Sequence, residues 1–464
     1  MATVLSTFER GMKLHASRTV PSRLNKLQLR PRDTQTDGLL ENMTSSQKLA
    51  EYDLHHQTFA GYQPKTPDEW IARAGKVAEI LTEDAAQRDI QQIPPHAEVA
   101  LLKSSGLTTI LGLIEHGGGG QTWDVGYKVI REVAKGDGSI GMLLGYHLLW
   151  SWTANVVGTD EQRDRWQAEI TKNKHFIGGA VNPRDSDLSI TSEGDNIVFS
   201  GFKNFNTGGV VSDITVLEGI LEGTDSHIFA FVSTKQPGLQ FANNWDAIGM
   251  RLTESGSVKI DKVVVPWDDA LGWDAKTKKP LDILTLPWAT LLLPTIQLVF
   301  SNFYLGIALG ALDYAAKYTI SNTRAWPYGG DNKEKATDEF YILEKYGNFK
   351  AHLRAAEALA DKAGLVIAEI YAKHSDKRDI SARQRGEAAE WVASVKIVTT
   401  DTALSVTSGI FEVTGARATG RKVGLDRFWR NVRTHTLHDP VSYKNRELGR
   451  FTLLDEIPEA TWYT

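Results

Sequence analysis

The chain has 464 residues, a formal net charge of −5 and no cysteine. That length holds two or three domains around a large core. Without cysteine there are no disulfides, no thiolate nucleophile and no cysteine-based zinc or iron–sulfur site. The mild negative charge gives no electrostatic footprint for nucleic acid, so no nucleic-acid partner is expected.

Residues 1–66 read as an N-terminal extension. Within residues 1–35, Arg10, Lys13, Arg18, Arg23, Lys26, Arg30 and Arg32 face only Glu9 and Asp33. This balance is compatible with an organellar transit peptide, and equally with a basic arm wrapping another subunit. A cytoplasmic location is the expectation.

Three zones follow. Residues 67–174 are helical: DEWIARAGKVAEILTEDAAQRD and VGYKVIREVAKGDGSIGMLLGYHLLW carry apolar residues three and four apart. Residues 175–284 change texture. SEGDNIVFSGFKNF, DITVLEGIL, HIFAFVST and SGSVKIDKVVV are short β-branched runs bounded by turn residues. Residues 285–464 return to long amphipathic helices such as FKAHLRAAEALADKAGLVIAEIYAK, as in bundles. The most apolar tract, residues 288–312, contains Pro294, Gln297, Ser301 and Asn302. It reads as a helix buried in protein rather than in lipid, so no membrane partner is expected.

Common enzyme signatures are missing. HGGGGQTW (116–123) lacks the Gly-Lys-Ser/Thr of a P-loop and the spacing of a dinucleotide fingerprint. No GxSxG or HExxH occurs. Reducing power is therefore expected from outside.

VRTHTLHDPVSYK (432–444) gathers His435, His438 and Asp439. Two histidines three apart share one helix face and can donate or accept protons near neutral pH. The same residues suit a metal site, but further ligands at suitable spacing are lacking, so no metal is assigned. Structural histidines bonded to backbone are the third reading.

Six segments carry a resemblance. They are HGGGG, AKGDGSIG, FSGFKNFNTGG (199–209), WDAIGMRLTESGSVKIDKVVVP (245–266), GIFEVTGARATG (409–420) and DRFWRNVRTHTLHDPVSYK (426–444). Together they resemble the acyl-CoA dehydrogenase superfamily, and within it the flavin-dependent monooxygenase branch typified by dibenzothiophene monooxygenase. The resemblance implies an α+β fold: an N-terminal helical domain, a central β-barrel-like domain and a C-terminal four-helix bundle, assembled as a homotetramer.

It also implies a reaction. Reduced FMN (FAD is the other option) comes from a separate flavin reductase and meets O2. A C4a-(hydro)peroxyflavin then passes one oxygen atom to a small aromatic or heteroatom-containing substrate. His438 would lie nearest the reacting oxygens, with His435 supporting it and Tyr146 lining the pocket. Phe205 would sit beside the flavin ring and Trp245 at its flank. Thr207 would offer its hydroxyl or backbone N–H to the N5/O4 edge. Arg324 and Arg417 would hold the phosphate, Arg417 from a neighbouring subunit.

An FAD-dependent acyl-CoA dehydrogenase or oxidase is the alternative. Its base is commonly a glutamate at about the position of Asp439, where this chain has a shorter carboxylate followed by Pro440. Two departures concern the substrate. The sulfur-oxidising prototype has histidine where Met142 stands and asparagine where Gly179 stands.

Overall fold

The computed structural model describes residues 55, 57–182, 187–329 and 332–461. The chain divides into two units, Met1–Leu49 and Ala50–Thr464. The described residues lie in the second, so the basic segment and its possible transit role fall outside them.

Five helices come first: α1 (Pro67–Gln91), α2 (His96–Ser104), α3 (Trp123–Gly136), α4 (Gly138–Val157) and α5 (Asp160–Asn173). Thr66 with Glu69 and Thr159 with Gln162 form capping boxes that start α1 and α5. Asp137 starts α4 by accepting the N–H groups of Ser139 and Ile140. Helix α4 is apolar nearly all round and correspondingly buried. The glycine run between α2 and α3 folds back on itself: Gly119 donates to Thr109 and Gly120 to Gly112, both at 2.9 Å. A Cβ at Gly118 would lie 2.2 Å from the Gly112 carbonyl oxygen. Close backbone packing accounts for this run.

The strands form two main sheets. One has the order β1 (Ile177–Ala180), β4 (Ile214–Ile220), β5 (His227–Ser233), with β1 parallel to β4. The other has the order β2 (Leu188–Glu193), β3 (Asn196–Lys203), β7 (Val258–Pro266), β6 (Leu239–Phe241), antiparallel throughout. A small hairpin, β8 (Trp273–Asp274) and β9 (Lys279–Pro280), follows. Alternating residues such as Phe199, Val263, Leu217 and Ala230 meet in one core between the sheets.

The C-terminal part holds α6 (Leu292–Asn322), α7 (Phe340–His374), α8 (Ala382–Thr414), α9 (Asp426–His435) and α10 (Val441–Leu454). Among the described residues, α6 with its preceding turn is the one helical stretch long and apolar enough to cross a membrane, and it is buried inside the protein. Its polar residues find partners there. Asn302 accepts from Arg131 at 3.1 and 3.0 Å, and the Thr295 carbonyl accepts from Tyr127 at 3.2 Å. Both partners come from α3, which ties the N-terminal helices to the bundle.

Candidate active site

The segment between α9 and α10 carries the two histidines. Helix α9 buries Phe428, Val432 and His435 on one face and ends at His435. A turn follows, with the His438 N–H donating to the His435 carbonyl at 2.9 Å. Pro440 then starts α10. The two imidazoles stack at 5.2 Å with only 11° between their planes.

His435 is buried and held at both ring nitrogens. Tyr304 of α6 lies 2.7 Å from Nδ1 and donates its hydroxyl to the His435 carbonyl at 3.0 Å. A phenol has one proton, so Nδ1–H must donate to the Tyr304 oxygen. Nε2 is then an acceptor, and the Tyr146 hydroxyl, 3.2 Å away, donates to it. Burial, reinforced by His438 and Lys396, holds His435 well below the ordinary imidazole value. Burial also raises both phenols. This is a neutral, fully bonded relay.

His438 is the open member, its side chain half exposed. Its Nδ1 bonds Asp439 Oδ1, while Asp439 Oδ2 takes the Lys396 ammonium from α8 and lies 3.4 Å from Gln297 Nε2. Burial opposes the Asp439 charge. The His438 hydrogen bond and Lys396 outweigh it and hold the carboxyl well below the usual carboxylate range. With both oxygens engaged, Asp439 is a poor base for an acyl α-proton. Phe300 joins the groups, its ring centre 4.6 Å from His435, 4.9 Å from His438 and 5.6 Å from Tyr146.

A second cluster lies in the sheet domain. Phe205 takes φ +57, sits 61% exposed and meets Trp245 edge-on at 6.3 Å. An exposed phenylalanine in a left-handed conformation is strained and apolar at once. Thr207 is buried beside it. Its backbone N–H, one of the two groups expected at the flavin edge, donates to the Phe205 carbonyl at 2.9 Å within the tight turn, which leaves the hydroxyl for that task. Its hydroxyl is 2.9 Å from Ser255 Oγ, which is 2.7 Å from Thr253 Oγ1, which donates to the Met250 carbonyl at 2.9 Å. The last bond sets the direction: Ser255 donates to Thr253 and Thr207 donates to Ser255. The Thr207 oxygen is left as an acceptor.

Trp150 links the two clusters. Its ring lies 6.2 Å from Tyr146 and covers Gly179, whose N–H donates to the Thr207 carbonyl at 3.1 Å. A Cβ at Gly179 would lie 2.5 Å from the Trp150 indole nitrogen. Asparagine at 179 therefore requires Trp150 to move. Met142 is buried on the same helix as Tyr146 and offers no proton.

Arg324 and Arg417 are not part of this cluster within one chain. Both are exposed and follow the C-terminal ends of α6 and α8, which are joined by Thr323 donating to Thr414 at 3.1 Å. Asn322 is eighteen residues beyond Tyr304 on α6, about 27 Å at 1.5 Å per residue.

Comparison with known proteins decides the family. Residues 73–174 match the acyl-CoA dehydrogenase N-terminal domain and residues 298–443 its C-terminal domain. Dibenzothiophene monooxygenase of Rhodococcus erythropolis is 37% identical over 399 residues, covering 84% of this chain and 94% of the relative. The chain belongs to the acyl-CoA dehydrogenase superfamily, in its flavin-dependent monooxygenase branch. The probable FMNH2-dependent monooxygenase SfnC of Pseudomonas putida is 32% identical, covering 85% of this chain and 97% of its own. The structure of TdsC from Paenibacillus sp. A11-2 with FMN and indole superposes with a TM-score of 0.79 at 34% identity, covering 85% of this chain and 99% of that one.

Against this branch the site can be tested for a flavin. An exposed phenylalanine, a half-buried tryptophan and a hydroxyl acceptor at their edge fit a flat heteroaromatic group. Tyr304, Phe300, Lys396, Gln297 and Ser255 belong to the site but escape sequence reading. A lysine inside the apolar run WVASVKIVTT and Gln297 inside the apolar tract 288–312 are the signals among them.

Proposed function

We propose that this monooxygenase takes reduced FMN from a separate reductase and, with O2, transfers one oxygen atom to a small, flat aromatic or heteroatom-containing substrate. The observation that carries this reading is the paired histidine site. A neutral, fully bonded His435 backs a half-exposed His438 anchored through Nδ1 to Asp439. Reduced flavin, when bound, supplies the electrons that activate O2.

The chain's own residues do the rest. Phe205 and Trp245 would flank the ring, and the Thr207 oxygen would accept the N–H of a reduced flavin. His438 would hold or deliver a proton through Nε2 at the reacting oxygens. Tyr146, Phe300 and Trp150 would form the apolar wall behind that point. Fused aromatic substrates suit such walls, and the names of the dibenzothiophene and indole relatives agree with this. Arg417 would reach the FMN phosphate from an adjoining copy, with Arg324 beside it, as a homotetramer or another closed assembly allows. Acyl-CoA dehydrogenation is disfavoured because Asp439 is engaged by Lys396 and His438.

Rapid mixing tests the reading. Photoreduced FMN bound to the protein is mixed with oxygenated buffer and flavin absorbance is followed. Reoxidation distinctly slower than that of free flavin, with oxygenated product from dibenzothiophene or indole, is expected. Bleaching of bound FAD by an acyl-CoA instead would overturn it.

A further inference from the structure

Lys396 interrupts the apolar face of α8 and its side chain is almost fully buried. An ammonium taken out of water needs a counter-charge. Lys396 finds it in Asp439 Oδ2, with the Phe300 ring centre 5.6 Å away. The other Asp439 oxygen bonds Nδ1 of the adjacent His438. We propose that Lys396 is a positioning residue for His438: by fixing one oxygen of Asp439 it turns the other onto Nδ1, so that Nε2 is the nitrogen presented to the reacting oxygens.

The surroundings leave this task to Lys396. On α6, Gln297 steadies the same oxygen from 3.4 Å without charge, and Tyr304 is a neutral phenol, as is Tyr146 on α4. On α9, His435 is neutral, and Arg433 carries charge near Tyr304. On α10, Lys444 is matched by Glu447 at 2.7 Å. Among the described residues, Lys396 and His438 are the two cationic side chains that form ion pairs with Asp439. An Asp439 already paired with Lys396 orients the imidazole without placing a full negative charge on it. Remove the ammonium and that charge falls on His438, which then keeps its proton to higher pH.

The inference rests on the reading of His438 given above, but its test does not pass through oxygenation. Diethylpyrocarbonate acylates unprotonated imidazole, and His438 is half exposed whereas His435 is buried. Both lie in the tryptic peptide 434–444, where fragment masses separate them. The extent of His438 modification is measured against pH in the full-length protein. In Lys396→Met the midpoint should rise by about one unit or more relative to the parent. Lys396→Met/Asp439→Asn, which removes both charges, should reverse that rise. Lys396→Gln keeps a donor to Asp439 without the charge, and should show the rise if Lys396→Met does not fold. An unchanged midpoint in the folded single variant overturns the proposal. A raised midpoint with undiminished product per flavin oxidised upholds the positioning by Lys396 and overturns the role given to His438.

Discussion

Asn431 on α9 accepts the backbone N–H of Met250 at 2.7 Å, and so ties the Trp245 loop to the helix that ends in His435. Met250 sits at φ +52, and its carbonyl takes the Trp245 indole N–H at 2.7 Å and the Thr253 hydroxyl at 2.9 Å. One residue therefore fixes the tryptophan, the hydroxyl ladder below Thr207 and the helix that leads to the histidines. Asn431→Ala leaves a buried N–H unpaired, at a cost of about 1–3 kcal/mol. A lower Tm and weaker FMN binding are expected, measured by thermal unfolding and by titration. No change in either would show that the loop is held by its other contacts.

His438→Ala separates binding from chemistry. His438 belongs to the turn after α9, remote in the chain from Phe205, Thr207 and Trp245, so FMN affinity should change little. Product formed per flavin oxidised should fall at least ~100-fold, the usual scale for a lost acid–base group. Quantifying product and flavin oxidation in the same sample checks this. Unchanged coupling would reject the role assigned to His438.

The contrast between helices and site shows what a sequence makes legible. Helices α4 and α6 announce themselves through nearly unbroken apolar composition, and the polar residues inside α6 mark it as a protein core. His435 and His438 are visible because their grouping is local, one turn of chain. The groups that decide their state are not local. Lys396 reaches Asp439 across 43 residues, Tyr304 reaches His435 across 131, and Ser255 reaches Thr207 across 48. The first two exist only once α6, α8 and α9 have packed, and the third only once β3 has paired with β7. Arg324 and Arg417 illustrate the reverse: their motifs are local, but helix length carries them far from His435.

The hydroxyl ladder predicts a preference for one redox state of the flavin. Thr207 donates to Ser255, which leaves its oxygen as an acceptor. An N–H is a partner for it, whereas a bare ring nitrogen is not. Ser255→Ala frees the Thr207 hydroxyl to turn and donate. The affinity ratio of reduced to oxidised FMN should therefore shrink by about fivefold, equivalent to one hydrogen bond of ~1 kcal/mol. Anaerobic and aerobic titrations give the two affinities. An unaltered ratio would mean that Thr207 does not meet the flavin through its hydroxyl.

Acid should destabilise the fold through its buried histidines. His147 bridges α4 to β1: its Nε2 lies 2.7 Å from the Thr108 carbonyl, and its Nδ1 accepts the Ile177 N–H at 2.9 Å. A proton on Nδ1 would expel that N–H. Burial lowers His147 to about 4, the Thr108 carbonyl opposing only in part, and burial likewise places His435 well below 6.5. The sign follows directly. Between the unfolded value near 6.5 and the lower folded value, the unfolded chain binds more protons. Stability is therefore complete above pH ~6.5 and falls as the pH drops toward 4, by about 3 kcal/mol from His147 alone. Urea unfolding at pH 7.5, 6, 5 and 4.5 measures it. In His147→Gln, which can keep a donor and an acceptor, the pH 5 stability should lie closer to the pH 7.5 value than in the parent. Identical pH slopes in the two proteins would assign the acid sensitivity to His435 or to groups elsewhere.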